Sequence, residues 1–466
     1  MSAQPLPAGD EPWPSIMALA EAVRAGRTSA VAQAERAIAR IAALNPALNA
    51  VIAFDAADVR ARAAAVDRRV ANGENLPLAG VPVTIKDNIW VKGRPITQGS
   101  HLFKDFIAPE DAVAVERLEA AGAVIAGITN TPEFAAKGQT TNRLYGATRH
   151  PLDPALTPGG SSGGAVVSVA SGMVPLALGT DAGGSSRRPP AHTGLVGFKP
   201  SFGAIPYGPG FPEPFFGISC NCPITRTVAE AALAFDVMAG PDPRDPHSAF
   251  VSTVDSVDVG SLTLAYSPKW GLDVPVEPEI AALTERAIAM LRAAGLSIVD
   301  KDPDWPAGLS ESGLGPIQQA GLAALYGTTW QADPGRIDAD LGVQIKAGFE
   351  QTSPDVGHAL LLSEEVALAA ARFFRDHAID AAIGPTTPCP AWSIDKLGPE
   401  TIAGVPVGPR GHAVFTPLFN HARQPAISVP CGTTAAGLPI GLQIVAPRLA
   451  DRKLLAIAAA VEAMLD

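Results

Sequence analysis

A strand–helix–strand run constrains the fold more than any other feature of the chain. An apolar strand, Val81 to Ile85, leads into Lys86. Asp111 reads as the cap of a helix through Ala121, Gly122 ends it, and Ala123 to Ile128 is a second strand. Strands and helices in this order build an α/β sheet. The pattern recurs. Leu262 to Tyr266 is a strand, Pro278 to Ala294 a helix closed by Gly295, and Leu296 to Val299 a strand. Ser363 to His377 is a helix followed by a short strand, Ala381 to Ile383. Strands Ala426 to Val429 and Ile440 to Val445 precede a C-terminal helix from about Asp451. Near the start, Ser15 to Ala25 reads as one helix. Thr28 or Ser29 caps a second, with Ala34, Ile38, Ile41 and Leu44 on one face, ending before Asn45-Pro46. No repeat and no clear linker divides the chain. Asp302 to Pro316 is rich in Pro, Gly and Ser, but helix and strand patterns flank it. Ile205 to Phe216 combines turn residues with aromatics and reads as a pocket-lining loop or a packed surface loop.

Size alone would permit several domains in 466 residues, a soft prior that the continuous pattern overrides. With 47% hydrophobic and 17% charged residues, the chain can bury a large core and is neither disordered nor fibrous. A net charge of −11 without a Lys/Arg run argues against a nucleic-acid footprint. Cys220, Cys222, Cys389 and Cys431 lack zinc-type spacing and read as reduced, mostly buried thiols. The N-terminal MSAQPLPAGDEPWPS has neither a basic nor an apolar leader region. No charge-free apolar run reaches the ~18 residues of a membrane span. The expectation is a cytoplasmic protein without nucleic-acid or membrane partners.

The chemistry concentrates between Leu156 and Pro200, where two glycine-framed serine clusters flank a small-residue apolar segment. Glycine lets backbone N–H groups face a ligand, and a hydroxyl so framed can serve as a nucleophile. Gly159-Gly160-Ser161-Ser162-Gly163 fits the GxSxG of a nucleophile elbow, but RHPLDPALTP before it is no strand. Neither cluster has the lysine spacing of a phosphate-binding loop. Two glycine-rich turns around a buried helix would be the bland alternative. The remaining reading is a serine activated by a lysine. Lys86, in GVPVTIKDNIWVKG, ends an apolar strand, where a charged amine is costly. It could instead be an edge-strand lysine. Strand alternation puts Asn88 on its face and Asp87 on the other, so Asp87 is not its obvious salt-bridge partner.

Several blocks in order carry a resemblance: GVPVTIKDNI, TNTPEFA, TPGGSSGG, PLALGTDAGGSSRRP, GLVGFKPSFG, ITRTVAEAALAFDVMAGPDPRDP, FNHARQPAISVPCG and GLPIGLQIVAP. The chain resembles the amidase signature family, the Ser–cisSer–Lys amidohydrolases. The resemblance implies a single α/β/α domain over the whole chain, a central mixed β-sheet covered by helices. Helices at about 15–45, a catalytic core at about 75–240 and a variable pocket region at about 300–360 are expected within it. It implies hydrolysis of a linear carboxamide to a carboxylate plus ammonia or an amine, without metal or organic cofactor. Lys86 falls on the catalytic lysine, Ser161 on the bridging serine entered through a cis peptide, and Ser185 on the nucleophile. The amides of Ala182, Gly183, Gly184 and Ser185 fall on the oxyanion hole, and Asp181 and Arg187 on supporting positions. Ser186 stands where a branched aliphatic is usual, Pro190 where a small residue follows Arg-x-Pro, Val166 after GGSSGG, and Arg423 before Gln-Pro-Ala. These departures bear on pocket shape and substrate class. Ser186 is a rival nucleophile by adjacency. His192 reads as a hydrogen-bonded structural histidine, and Cys220 and Cys222 as packing. Pocket segments are expected at Ile205 to Ser219 and Gln318 to Gln351. A small-molecule amide is the expected partner, and a homodimer is compatible with this reading. The alternatives are the glutaminase component of a tRNA-dependent amidotransferase and a catalytically silent binding protein on the same fold.

Overall fold

The computed structural model describes residues 11–252 and 257–465. Residues 1–10, most of the stretch read as leader-free, lie outside them. One mixed sheet of eleven strands organises the described chain. In chain order these are β1 (Val51–Ala53), β2 (Pro82–Lys86), β3 (Val124–Thr129), β4 (Leu176–Asp181), β5 (Val196–Lys199) and β6 (Cys220–Thr225). Then follow β7 (Thr263–Tyr266), β8 (Ser297–Asp300), β9 (Ala381–Pro385), β10 (Ala426–Thr433) and β11 (Pro439–Val445). Across the sheet the order is β1-β3-β2-β4-β6-β5-β10-β11-β9-β7-β8.

The part that matters for chemistry is the trio β3-β2-β4. β2 is parallel to both neighbours, with Ile85 opposite Ile128 on one side and Leu178 on the other. Parallel strands are covered on both faces, and every residue of the three is buried. That burial accounts for their Val, Ile and Leu content. β4 then pairs antiparallel with β6, Asp181 opposite Cys220. Helix Gly163–Ala170 packs across β2, β3 and β4, and its residues Gly163 through Val169 are buried. Small residues permit that approach. A Cβ on Gly164 would lie 2.4 Å from the Asn130 nitrogen and 2.6 Å from the Ala50 carbonyl oxygen. The one polar side chain facing the sheet, Ser168, is satisfied by the Ala165 carbonyl and Thr84 Oγ1, both at 2.8 Å. Among the described residues no helix is long and apolar enough to cross a membrane.

The seven strands read from sequence lie within a few residues of observed ones, with β10 running well past its expected end, whereas β1, β4, β5 and β6 were not read as strands. Some helix boundaries differ. Helix Ala30–Leu48 is capped by Ser29 but runs through Pro46 rather than stopping before it. A proline so near the end forfeits one intrahelical bond, and the helix closes at Asn49, φ 51°. Asn45 then accepts the Ala50 and Val51 amides at 2.9 and 2.8 Å. Asp111 caps nothing: the helix is Val113–Ala120 behind Ala112, and Asp111 accepts the Lys92 amide at 2.7 Å. The helix expected from Ser363 is Ser353–Asp376, because Thr352 and Asp355 form a reciprocal capping box with Pro354 in the first turn. The Pro/Gly/Ser-rich stretch is also partly helical, since Ser310 caps Glu311–Ala332 and Pro316 lies inside it.

Candidate active site

Lys86 is the last residue of β2 and is fully buried. Its Nζ lies 2.8 Å from Ser161 Oγ, 3.0 Å from Ser162 Oγ, 2.9 Å from Thr180 Oγ1 and 3.5 Å from the Thr180 carbonyl oxygen. No carboxylate pairs with it among the described residues. Burial lowers its pKa to about 7, against a weaker opposing pull from Asp181. The strand alternation read from sequence holds: Asn88 Nδ2 reaches the same Thr180 Oγ1 at 3.0 Å. Asp87 turns away to accept Thr97 N at 2.6 Å and Gly99 N at 2.9 Å.

The hydrogen-bond pattern gives the amine a direction. Ser162 Oγ donates to the Thr180 carbonyl at 3.2 Å, so it accepts from Lys86. Thr180 Oγ1 also accepts from Asn88. A neutral amine has two N–H bonds and one lone pair. With both N–H groups toward Ser162 and Thr180, the lone pair faces the Ser161 hydroxyl. Ser162 is the N-cap residue of helix Gly163–Ala170, yet its hydroxyl caps no amide. That forgoes roughly 1 kcal/mol of helix stability in favour of the lysine contact. The Gly160–Ser161 peptide is cis, as the resemblance implied.

Ser185 lies in the loop after β4. It is 8% exposed, against 1% for Ser161 and 0% for Ser162 and Ser186. Ser186 Oγ donates to the Thr180 carbonyl at 3.0 Å and lies 3.3 Å from Ser162 Oγ. The loop is built on Asp181. Its carboxylate accepts Gly184 N at 2.7 Å, Ser186 N at 3.1 Å and Asn420 Nδ2 at 2.9 Å. It also pairs with Arg187 Nε at 3.0 Å and Nη2 at 2.9 Å. Burial alone would raise the Asp181 carboxyl, but Arg187, Lys199 and Asn420 outweigh it and hold it well below the usual carboxylate range. Arg187 Nη1 continues to the Thr416 carbonyl at 3.0 Å and Gln443 Oε1 at 2.7 Å, and Nη2 to Asn420 Oδ1 at 2.6 Å.

These bonds correct one expectation. Gly184 N–H is spent on Asp181, so it is not available to an oxyanion. The amides of Ala182, Gly183 and Ser185 make no hydrogen bond within the described protein. The Gly183–Gly184 peptide is fixed from both sides, since its carbonyl accepts Thr416 Oγ1 and Arg188 Nη1, each at 2.8 Å. Gly184 has φ +109°, and a Cβ there would lie 2.0 Å from Thr416 Oγ1. By contrast a Cβ on Gly183 would meet only Pro417 Cγ at 3.9 Å, so that side is open. Gly184→Ala is therefore expected to shift the loop and lower kcat by about 10²- to 10³-fold, as loss of an oxyanion donor does, which steady-state kinetics checks. Asp181→Asn breaks the fully buried pair and is expected to cost about 3–5 kcal/mol in urea unfolding at neutral pH. Because the Asp181 pKa is depressed, its contribution is present above the unfolded value of about 4 and is lost as pH falls below it.

Of the residues expected at one locus, Lys86 and Ser161 are in direct contact, and Asp181 and Arg187 brace the loop that carries Ser185. Sequence reasoning missed Ser162, Thr180, Thr416, Asn420 and Gln443. FNHARQPA signalled Asn420 as part of a motif, without a role. His192 departs from expectation. It is buried against Trp392, ring centroids 5.7 Å apart, and its Nε2 has no partner. Burial lowers its pKa to about 3. All four cysteines are free, and burial pushes Cys220 up to about 11 and Cys389 and Cys431 up to about 12. The loop 205–216 does line a cavity of about 730 Å³, with Tyr207, Glu213 and Arg244. The segment 318–351 borders an open groove of about 550 Å³ beside Phe349 and Leu360. Neither is lined by Lys86, Ser161 or Ser185.

A family model described as Amidase matches residues 32–455. The chain is 39% identical over 461 residues to the acylamidase of Rhodococcus erythropolis, covering 97% of this chain and 95% of that protein. It is 35% identical over 463 residues to one component of the glutamyl-tRNA(Gln) amidotransferase of Symbiobacterium thermophilum, covering 93% of each. A bacterial aryl acylamidase of the amidase signature family superposes with a TM-score of 0.88 at 30% identity, covering 97% of this chain and 96% of that one. With the match running almost end to end and the mixed sheet shared, the chain belongs to the amidase signature family of amide-hydrolysing enzymes.

Proposed function

We propose that the protein hydrolyses linear carboxamides of small molecules through a Ser185 acyl-enzyme, with Ser161 relaying protons between Ser185 and Lys86. One observation carries this reading: Lys86 Nζ lies 2.8 Å from Ser161 Oγ in a buried setting without a paired carboxylate. Burial that favours the neutral amine makes it a base near neutral pH. Lys86 takes the Ser161 proton as Ser161 takes that of Ser185. Ser185 Oγ forms a bond to the carbonyl carbon, and the oxyanion meets the free amides of Ala182, Gly183 and Ser185. The relay returns the proton to the nitrogen as the C–N bond breaks. Water then loses a proton to the relay and adds to the acyl-enzyme. The carboxylic acid leaves, and Ser185 regains its proton. Ser185, at 8%, is the least buried of the four serines, whereas Ser186 is committed to Thr180.

The relative from Symbiobacterium thermophilum keeps a second reading open, a glutaminase that works only with partner proteins. A panel of alkyl, aryl and amino-acid amides, assayed for ammonia release with the chain alone, separates the two. Turnover of a non-glutamine amide is expected. Activity confined to glutamine, and only with copurified partners, would select the second reading.

A further inference from the structure

We propose that the cavity of about 730 Å³ beside loop 205–216 is a second binding site, one that takes an aromatic monocarboxylate. None of Lys86, Ser161 and Ser185 lines it, so the site stands or falls apart from the amidase reading.

Four strand ends converge on this cavity. Phe202 follows β5, Ser219 precedes β6, Arg423 precedes β10 and Arg448 follows β11. Register sets these ends beside the end of β4: Asp181 lies opposite Cys220, Ala426 opposite Lys199, and Val445 opposite Ala426. The cavity therefore neighbours the reacting centre along the sheet without including its side chains.

The charges in the wall are used unequally. Arg244 is closed by Asp242 at 2.9 Å and Glu116 at 2.8 Å. Glu213 accepts the Phe215 and Gly217 amides and the Ser219 hydroxyl, at 3.0, 2.7 and 2.7 Å. Asp245 accepts the Tyr207 and His247 amides, both at 2.8 Å. Both carboxylates are thus spent on holding their own loops. Arg423 gives one N–H to Glu364 at 2.6 Å, and its buried Nε has no partner. Arg448 makes no hydrogen bond or ion pair among the described residues. Glu364 offsets the charge of Arg423, so the charge left over is that of Arg448 and calls for one negative charge in return. The Arg423 fork lines the same cavity with donors to spare, and a guanidinium fork matches a carboxylate in plane and spacing.

Phe202, Ile205, Tyr207 and Phe216 supply much of the remaining wall. The Phe202 ring lies 5.4 Å from that of His247, and Phe216 is 51% exposed. Apolar walls with a few convergent polar groups are the form of a small-molecule site. Aromatic walls favour an aromatic body in the ligand. The backbone is strained at the same place. Arg423 and Phe216 have φ 57° and 51°, and Leu449, next to Arg448, has φ 67°. Residues with side chains hold this left-handed region at a cost, and such strain gathers where ligands are clamped. Arg423 is also one of the departures from the family pattern, so the site belongs to this chain and not to the shared chemistry.

The test is calorimetric titration of the folded protein with 3-phenylpropionate, its neutral isostere 4-phenyl-2-butanone, and propionate. 3-Phenylpropionate is expected to bind with a Kd of about 1 mM or tighter, and at least about tenfold tighter than either comparator. Arg423→Gly, whose backbone conformation glycine adopts freely, is expected to weaken it by about 10- to 100-fold. Arg448→Gln, which breaks no bond of the described protein, is expected to weaken it by about the same factor. Should Arg423→Gly fail to fold, Arg448→Gln decides. Protein labelled on Ser185 with a fluorophosphonate is expected to bind 3-phenylpropionate as the unlabelled protein does. No binding at about 10 mM overturns the proposal, as does equal affinity for the ketone or for propionate. Unchanged affinity in Arg448→Gln overturns it too, and so does loss of binding on labelling, which would put the ligand in the reacting centre. If no amide is hydrolysed but 3-phenylpropionate binds as expected, the amidase reading fails and this site stands.

Discussion

Ser185→Ala is expected to lower kcat by about 10⁴- to 10⁶-fold, the largest effect of any single substitution in this protein. Its Oγ is the atom that would carry the acyl group, and no neighbour can take its place. Ser186 is fully buried and donates to the Thr180 carbonyl at 3.0 Å. Ser162 is bound to Lys86 and to Thr180. Ser186→Ala is accordingly expected to cost at most about tenfold, the scale of one lost hydrogen bond. The residual rate of Ser185→Ala would come from the amides of Ala182, Gly183 and Ser185, which remain. Comparable losses in Ser185→Ala and Ser186→Ala would mean that the loop, not one hydroxyl, is the sensitive element.

Lys86→Met is expected to lower kcat/KM by about 10²- to 10⁴-fold near pH 7 and to remove the ascending limb of the pH profile. The sign follows from burial. With its pKa lowered to about 7, the amine is charged below that pH and neutral above it, and only the neutral form accepts a proton. Wild-type activity should therefore rise through pH 7 and level off. Asp87 and Glu133 are also brought to about 7 by burial, so the limb is assigned by its loss in the variant. Part of the lost rate is expected back at high pH, where hydroxide substitutes for the base. Stability should move the other way. A lysine whose pKa is lower folded than unfolded opposes folding most at low pH, and less as pH rises toward its unfolded value. Replacing it by an apolar side chain of similar length is expected to leave urea stability equal or higher. A large loss of stability would point to a structural lysine.

Seven of the eleven sheet strands were legible, and the clearest, β2 and β3, because they are buried on both faces. Val81 to Ile85 and Ala123 to Ile128 carry no polar residue other than Thr84, whose hydroxyl is satisfied by Ser168 at 2.8 Å. Helix ends were less legible. Pro46 reads as a stop, yet a proline in a last turn forfeits little. Asp111 reads as a cap, yet a loop amide claims it. Lys86, Ser161 and Ser185 could be named because the motifs around them resemble those of the family, and the glycines beside the two serines announce close backbone approach. Their supports could not. Thr416, Asn420 and Gln443 lie more than two hundred residues from Arg187 and Gly183, and reach them only because the sheet order folds β10 and β11 back beside the centre. The expected oxyanion set showed the same limit. Four successive amides look equivalent in sequence, but the Asp181 carboxylate claims one.

The most direct measurement is covalent labelling of the folded protein with a fluorophosphonate, followed by peptide mass spectrometry. The account requires one stoichiometric adduct on Ser185, formed faster as pH rises through 7, slowed in Lys86→Met and absent in Ser185→Ala. An adduct on Ser161, Ser162 or Ser186 instead, or none in protein that hydrolyses amides, would contradict it.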